Sequence, residues 1–201
     1  MKAKKSLGQH FLIDSMAIQR IVAEAKIDTD SLVIEIGPGR GALTEYLVRL
    51  GARVLAIEID KDLCGILRKQ YAQNTNFDLI EGDIQLADLK QLVKDAGFSR
   101  AILIGNLPYH ITGILMRQIL DARDVLHHAV IMVQREVARR ITAEPGNKDF
   151  GVLTTVTQIN CVPHLLFDLP PSSFEPPPKV HSSVLRLRFD CAPLYSVVDQ
   201  D

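Results

Sequence analysis

Ten consecutive residues, Leu32-Val33-Ile34-Glu35-Ile36-Gly37-Pro38-Gly39-Arg40-Gly41, restrict the fold of this chain more than any other stretch. The run from Leu32 to Ile36 is apolar and rich in β-branched residues, the signature of a strand buried on both faces in a parallel sheet. It stops at glycines spaced at alternate positions, and Ala42-Leu43-Thr44-Glu45-Tyr46-Leu47 then restarts with helical spacing. Strand, glycine turn and helix form the opening unit of a doubly wound nucleotide-binding sheet. Glycine stands in the turn because a side chain there would obstruct close approach of the backbone to a ligand. A second apolar run, Arg53-Val54-Leu55-Ala56-Ile57, ends in Glu58. That is about twenty residues past the first glycine, where such units carry a ribose-binding acid.

The glycine spacing separates ligand classes. A dinucleotide site uses G-x-G-x-x-G, whose third glycine packs helix on strand above a pyrophosphate. Here the spacing is G-x-G-x-G, and Pro38 stiffens the turn. A nucleoside ligand without a pyrophosphate fits better, which points to S-adenosylmethionine. On the glycines alone, a nicotinamide or flavin enzyme and a plain tight turn both stay open.

The rest of the chain repeats the βα rhythm. Strands are expected at Leu32–Ile36, Arg53–Ile57, Phe77–Ile80, Ala101–Ile104 and Ala129–Val133. Helices are expected at Gly41–Leu50, Lys61–Tyr71, Gln85–Lys94 and Thr112–Leu120. Alternation of this kind gives a mostly parallel central sheet with helices on both faces. An earlier helix, capped by Asp14 or Ser15, places Ile18, Ile21, Val22 and Ala25 on one stripe. The segment before it, Ser6 to Leu12, reads as too short and mixed for a core element. After residue 133 the rhythm changes to a charged helix (Gln134–Ala143) and an apolar one (Val152–Ile159). Two strands, Cys161–Phe167 and Ser183–Phe189, then flank a proline-rich segment from Pro170 to Pro178 and form an antiparallel sheet edge.

A chain of 201 residues can bury one good core. The division expected is an arm with its capping helix over 1–30, the catalytic domain over 31–190 and an aperiodic tail over 191–201. No stretch approaches transmembrane length and the N-terminus lacks a secretory h-region. Cys64, Cys161 and Cys191 are scattered and lack C-x-x-C spacing, which fits a reducing cytoplasm and argues against a disulfide frame or zinc site. The net charge of −1 means that any nucleic-acid contact must come from local patches. Two are visible: Lys2, Lys4 and Lys5, and then Arg135, Arg139, Arg140 and Lys148.

Ligands of open α/β sheets bind beyond the carboxyl ends of the strands. Gly37, Gly39 and Gly41 follow the first strand and Glu58 ends the second, suited to both ribose hydroxyls. Asp83 follows the third and can accept an adenine amine while Ile84 packs on the ring. The fourth ends in Gly105-Asn106-Leu107-Pro108-Tyr109. An exocyclic amine on a base is a poor nucleophile because its lone pair is delocalised. The Asn106 side-chain oxygen and a main-chain carbonyl near Leu107, turned by Pro108, can accept its two hydrogens and aim the lone pair at a methyl donor. Tyr109 can stack on the base, with Phe174 of the proline-rich loop as a second stacking residue and His10 as a cover for the cofactor. A sulfonium donor releases a neutral leaving group, so neither a metal nor a strong base is required, and catalysis is mostly positioning. A base inside a duplex cannot reach such a pocket and must be single-stranded or flipped out.

The motifs together resemble a known family, the ribosomal small-subunit RNA adenine dimethyltransferases. Lys5-Ser6-Leu7-Gly8-Gln9-His10-Phe11-Leu12 resembles its N-terminal arm, which usually has Asn at the place of His10. Glu35 to Thr44 resembles its first cofactor motif. Glu58 and Asp83-Ile84 match its ribose and adenine contacts, Asn106-Leu107-Pro108-Tyr109 its active-site motif, and Phe174 to Ser182 its late motif. The resemblance implies a Rossmann-like class I S-adenosylmethionine-dependent methyltransferase. Its substrate would be a pair of adjacent adenosines near the 3′ end of 16S RNA in an assembling small subunit; a monomer is expected. It further implies cofactor contacts at His10, Leu12, Gly37, Glu58, Asp83 and Asn106. The family's small helical C-terminal domain would begin about where residues 191–201 fall.

Alternatives are a macrolide-resistance-type methyltransferase of large-subunit RNA, a non-catalytic assembly factor that retains the fold, and a nicotinamide dehydrogenase. Leu107, where the macrolide type more often has Ile, and the Pro-Lys-Val-x-Ser run favour the small subunit. The intact Asn106-to-Tyr109 motif argues against a non-catalytic factor.

Overall fold

In chain order the elements are β1 (Phe11–Leu12), α1 (Ser15–Glu24), β2 (Leu32–Ile36), α2 (Thr44–Arg49), β3 (Arg53–Glu58), α3 (Lys61–Gln70), β4 (Phe77–Glu81), α4 (Leu89–Asp95), β5 (Ala101–Asn106), α5 (Thr112–Asp121), β6 (Leu126–Gln134), α6 (Arg135–Ile141), α7 (Val152–Gln158), β7 (Val162–Leu169), β8 (Phe174–Glu175) and β9 (Ser182–Arg188). The computed structural model describes residues 3–4 and 7–195. Lys2, Lys5 and Ser6 of the arm, and the tail beyond 195, lie outside the described residues. No helix among the described residues is long and apolar enough to cross a membrane.

The seven-stranded sheet has the order β4-β3-β2-β5-β6-β9-β7. Strands β4, β3, β2, β5 and β6 run parallel, and β9 lies antiparallel to both β6 and β7. Every residue of β2 is buried, as its unbroken apolar run predicts. Successive side chains point to opposite faces. Leu32, Ile34 and Ile36 therefore enter one core with Leu89, Val93, Leu115, Met116 and Ile119 of α4 and α5. Val33 enters the other with Ile18, Ile21, Leu47 and Leu67 of α1, α2 and α3. The strand order turns back between β2 and β5, and crevices at such a switch point open beyond the strand tips.

Three expectations are corrected in detail. The helix expected from Gly41 begins at Thr44, because residues 41–43 complete the glycine turn. The helix expected over Gln85–Lys94 is split into a 3₁₀ turn and α4, since Asp83 caps the Gln85 N–H and Asp88 caps the N–H groups of Lys90 and Gln91. The arm segment is also more than a mixed leader. Phe11 and Leu12 are buried and form β1, which pairs antiparallel with β8 in the register Phe11↔Glu175 and Leu12↔Phe174. Arg40 holds this ribbon against the glycine turn, with its guanidinium 4.5 Å from the Phe11 ring centroid and 2.6 Å from the Glu175 carboxylate.

Candidate active site

Register brings the strand tips together. Ile36 lies beside Ile57 and beside Gly105, and Glu58 lies beside Glu81. The residues that follow, Gly37, Gly82-Asp83 and Asn106, must therefore surround one crevice. A single cleft is lined by His10, Gly37, Gly39, Glu58, Asp83, Ile84, Asn106, Leu107, Pro108 and Tyr109, with the arm residues Leu7 to Phe11 forming one wall. At Gly39, φ is +60° and an added Cβ would lie 3.0 Å from the Phe11 ring, so only glycine permits the arm to close this tightly.

The carboxylates are held by backbone donors. Glu58 is buried and accepts from the Gly39 N–H at 3.0 Å and the Asp60 N–H at 2.9 Å. Burial pushes its pKa up, and these N–H groups oppose the shift. A carboxylate bound to the glycine turn and lining the cleft has the chemistry to hold vicinal hydroxyls. Asp83, half-buried, accepts from the Gln85 N–H at 2.9 Å and also lines the cleft.

Asn106 supplies the feature most specific to chemistry. Its Nδ2 donates to the His10 carbonyl at 2.9 Å. That carbonyl can only accept, which fixes the orientation of the amide. Its Oδ1 is buried with no hydrogen-bond partner among the described residues. An unmet buried acceptor costs about 1–3 kcal/mol, a cost expected where a ligand completes the bond. Beside it, the Pro108 carbonyl is occupied by the Ile111 N–H and the Thr112 hydroxyl, both at 3.1 Å. The Tyr109 hydroxyl pairs with Ser182 Oγ at 2.6 Å, and burial raises its pKa. The Tyr109 ring is stacked with His10 at a centroid separation of 5.8 Å, and His10 Nδ1 lies 2.7 Å from the Pro176 carbonyl.

Four expected site residues do not line this cleft. Phe174 is only 2% exposed and packs in the core with Leu12, so the stacking role expected of it is corrected. The β1–β8 register is the cause, because residues paired directly across a ribbon project to the same face. Leu12 joins that core and, with Glu35, borders a smaller hollow lined also by His10, Gly37, Gly39 and Asn106. Glu35 is buried, accepts from the Thr44 hydroxyl at 2.7 Å, and has its pKa pushed up to about 7, chiefly by burial. Gly41 faces α3, where an added Cβ would lie 3.1 Å from the Tyr71 hydroxyl, so it serves helix packing.

A buried anchor went unread in the sequence. Asp60 accepts from Lys4 Nζ at 2.6 Å and Gln9 Nε2 at 2.9 Å, tying the arm to the start of α3. Burial pushes its carboxyl up, but the bonds from Lys4, Gln9 and the Asp62 N–H outweigh this and hold it low. Its position before a helix marks it as an ordinary N-cap, which concealed the long-range contact. Ser182, which holds Tyr109, closes the Pro-Lys-Val-x-Ser run, but nothing local names its partner.

The model of a family described as ribosomal RNA adenine dimethylase matches residues 1–201. Ribosomal RNA small subunit methyltransferase A of Koribacter versatilis is 41% identical, over 93% of this chain and 69% of its own length. The protein of that name from Caldanaerobacter subterraneus is 38% identical, over 100% of this chain and 75% of its own. Among solved structures, a dimethyladenosine transferase from Plasmodium falciparum superposes with TM-score 0.80 at 30% identity, covering 89% of this chain and 63% of that one. The 23S rRNA methyltransferase ErmE gives TM-score 0.81 at 29% identity, covering 93% and 72%. The fold is that of the Rossmann-like methyltransferases, and the chain belongs to the ribosomal RNA adenine dimethylase family.

Proposed function

We propose that this chain dimethylates N6 of adjacent adenosines near the 3′ end of small-subunit ribosomal RNA, with S-adenosylmethionine as donor and an assembling subunit as substrate. The observation that carries the reading is Asn106, which lines the cleft and whose buried Oδ1 has no hydrogen-bond partner among the described residues. An amine with two hydrogens is the complementary group, and the Asn106 orientation is set before any base arrives.

The cleft residues fit the donor. Glu58 would hold the ribose, Asp83 and Ile84 the adenine, and the backbone of Gly37 and Gly39 the remainder, with Leu7 to His10 closing the mouth. When bound, S-adenosylmethionine supplies an electrophilic methyl on a positively charged sulfur. Asn106 Oδ1 and the Leu107 carbonyl would accept the two amine hydrogens and direct the nitrogen lone pair toward that methyl. Tyr109, with its hydroxyl fixed by Ser182, would present its ring to the base. Holding the reactants in line lowers the barrier by several kcal/mol or more without a strong base. The three free cysteines suit a reducing cytoplasm, and action as a monomer is part of the reading.

The likeness to a large-subunit enzyme favours one second reading, methylation of 23S RNA. Incubating the chain with labelled S-adenosylmethionine and purified immature small or large subunits separates the two. Label in small-subunit RNA, recovered as dimethyladenosine, is expected. Label confined to the large subunit would overturn the choice.

A further inference from the structure

Phe174 is buried in the core, so the second ring expected beside the base does not come from the proline-rich loop. The ring that does face Tyr109 is His10, at the place where the family usually has Asn. Closing the mouth of the cleft gives this imidazole no part in transfer. The Tyr109 hydroxyl is held by Ser182 Oγ at 2.6 Å, yet that bond leaves the ring plane free. Rotation about the Cβ–Cγ bond turns the ring about an axis through its own hydroxyl oxygen, so a bond at that oxygen does not resist it. This torsion is soft in aromatic side chains. A second ring against the face does resist it. His10 lies on Tyr109 with centroids 5.8 Å apart and planes inclined at 25°, within the range of offset stacking.

His10 is itself held in place. Its Nδ1 lies 2.7 Å from the Pro176 carbonyl, which can only accept, so Nδ1 carries the hydrogen. Its own carbonyl accepts from Asn106 Nδ2 at 2.9 Å. Two residues earlier, Gly8 has φ +61°, and an added Cβ there would lie 3.1 Å from His110 Nδ1. The arm therefore closes on the residue next to Tyr109 as well as on its ring.

We propose that His10 is a positioning residue for the target base: its ring, held by the Pro176 carbonyl, backs one face of Tyr109 and sets the plane on which the adenine stacks at the other. The inference rests on the RNA-methylating reading above. It links the N-terminal arm, the tip of β5 and the proline-rich loop in one chain of contacts that ends at the base. A side chain without a ring, such as Asn, has no face to offer Tyr109.

The test follows methyl transfer to immature small subunits by the full chain, with S-adenosylmethionine affinity read by calorimetry. His10→Ala is expected to raise KM for the subunit about three- to tenfold, the size of one aromatic pair, while kcat and cofactor affinity hold. His10→Asn should match Ala, and His10→Phe, which keeps a stacking face, should restore most of the loss. In a Tyr109→Ala background, His10→Ala should add little, because residues that act through one another are not additive. An unchanged KM in His10→Ala, or the same rise with and without the Tyr109 ring, would overturn the assignment. A lowered KM would overturn it too, by showing that His10 occupies the place of the base. So would a loss of cofactor affinity as large as the rise in KM, which would make the imidazole a cofactor contact. Failure of the underlying reading is distinct: the unsubstituted chain would then transfer no methyl to small-subunit RNA, and the proposal would fall with it.

Discussion

The Asn106 carboxamide donates to the His10 carbonyl across 2.9 Å, so the tip of β5 and the N-terminal arm are one unit. The orientation of the acceptor in the reacting cleft thus depends on a segment nearly one hundred residues earlier. The arm is held at its other end by Lys4 and Gln9 on Asp60, and between these anchors it walls the cleft.

Lys4→Met should loosen that wall without touching Asp60, which also caps α3. The Lys4 side chain is 40% exposed, so the effect is modest: S-adenosylmethionine affinity should fall roughly two- to fivefold, through faster dissociation. Stopped-flow release of the cofactor checks this. An unchanged off-rate would show that the latch does not restrain the arm.

Tyr109 offers a separable pair of variants. Tyr109→Phe removes the hydroxyl bond to Ser182 but keeps the ring, and should leave most of the turnover. Tyr109→Ala removes the stacking face, worth about 1–3 kcal/mol per base, and should raise KM for RNA accordingly. Equal effects from the two would place the role in the hydroxyl.

Phe174 has the opposite signature. As a core residue it should tolerate Leu with under about 1.5 kcal/mol lost and near-normal methylation, whereas Ala should cost about 3–5 kcal/mol. Urea unfolding with parallel activity assays distinguishes this from a stacking role, in which Leu would already cripple transfer.

The doubly wound sheet was legible because β2 carries an unbroken apolar run and each later strand is bounded by helical spacing. The residues that register alone gathers, Gly37, Glu58, Asp83 and Asn106, were legible for the same reason, since strand tips converge by construction. Phe174 was not. Its side is set by a two-residue pairing with β1, and nothing local in Ser173-Phe174-Glu175 encodes a partner so distant in sequence. The partners of Asp60 and Ser182 were hidden for a related reason, because polar residues at element ends have a sufficient local explanation. Gly41 was legible as part of the turn, but its close approach to Tyr71 was not, since that depends on where a ring thirty residues away lands.

Glu35 makes stability depend on pH. Its carboxyl is raised from 4.5 to about 7, mainly by burial, so the folded chain binds more protons than the unfolded one between these values. Its contribution is fully present below pH 4.5 and is lost as pH rises through about 7. The loss is on the order of 3 kcal/mol at about 1.4 kcal/mol per unit. Glu35→Gln, which keeps an acceptor for Thr44, should gain on the native chain across that interval in urea unfolding at stepped pH. A constant difference between the two would show that Glu35 titrates normally.

The most direct measurement is turnover and cofactor affinity for Asn106→Ala, by labelled methyl transfer to immature small subunits and by calorimetry with S-adenosylmethionine. Loss of one oriented polar partner in a preorganised site typically costs about a hundred- to a thousandfold in rate. The expected result is a loss of that size or greater, with binding of the donor still measurable. Full turnover in the variant would contradict the amine-acceptor account.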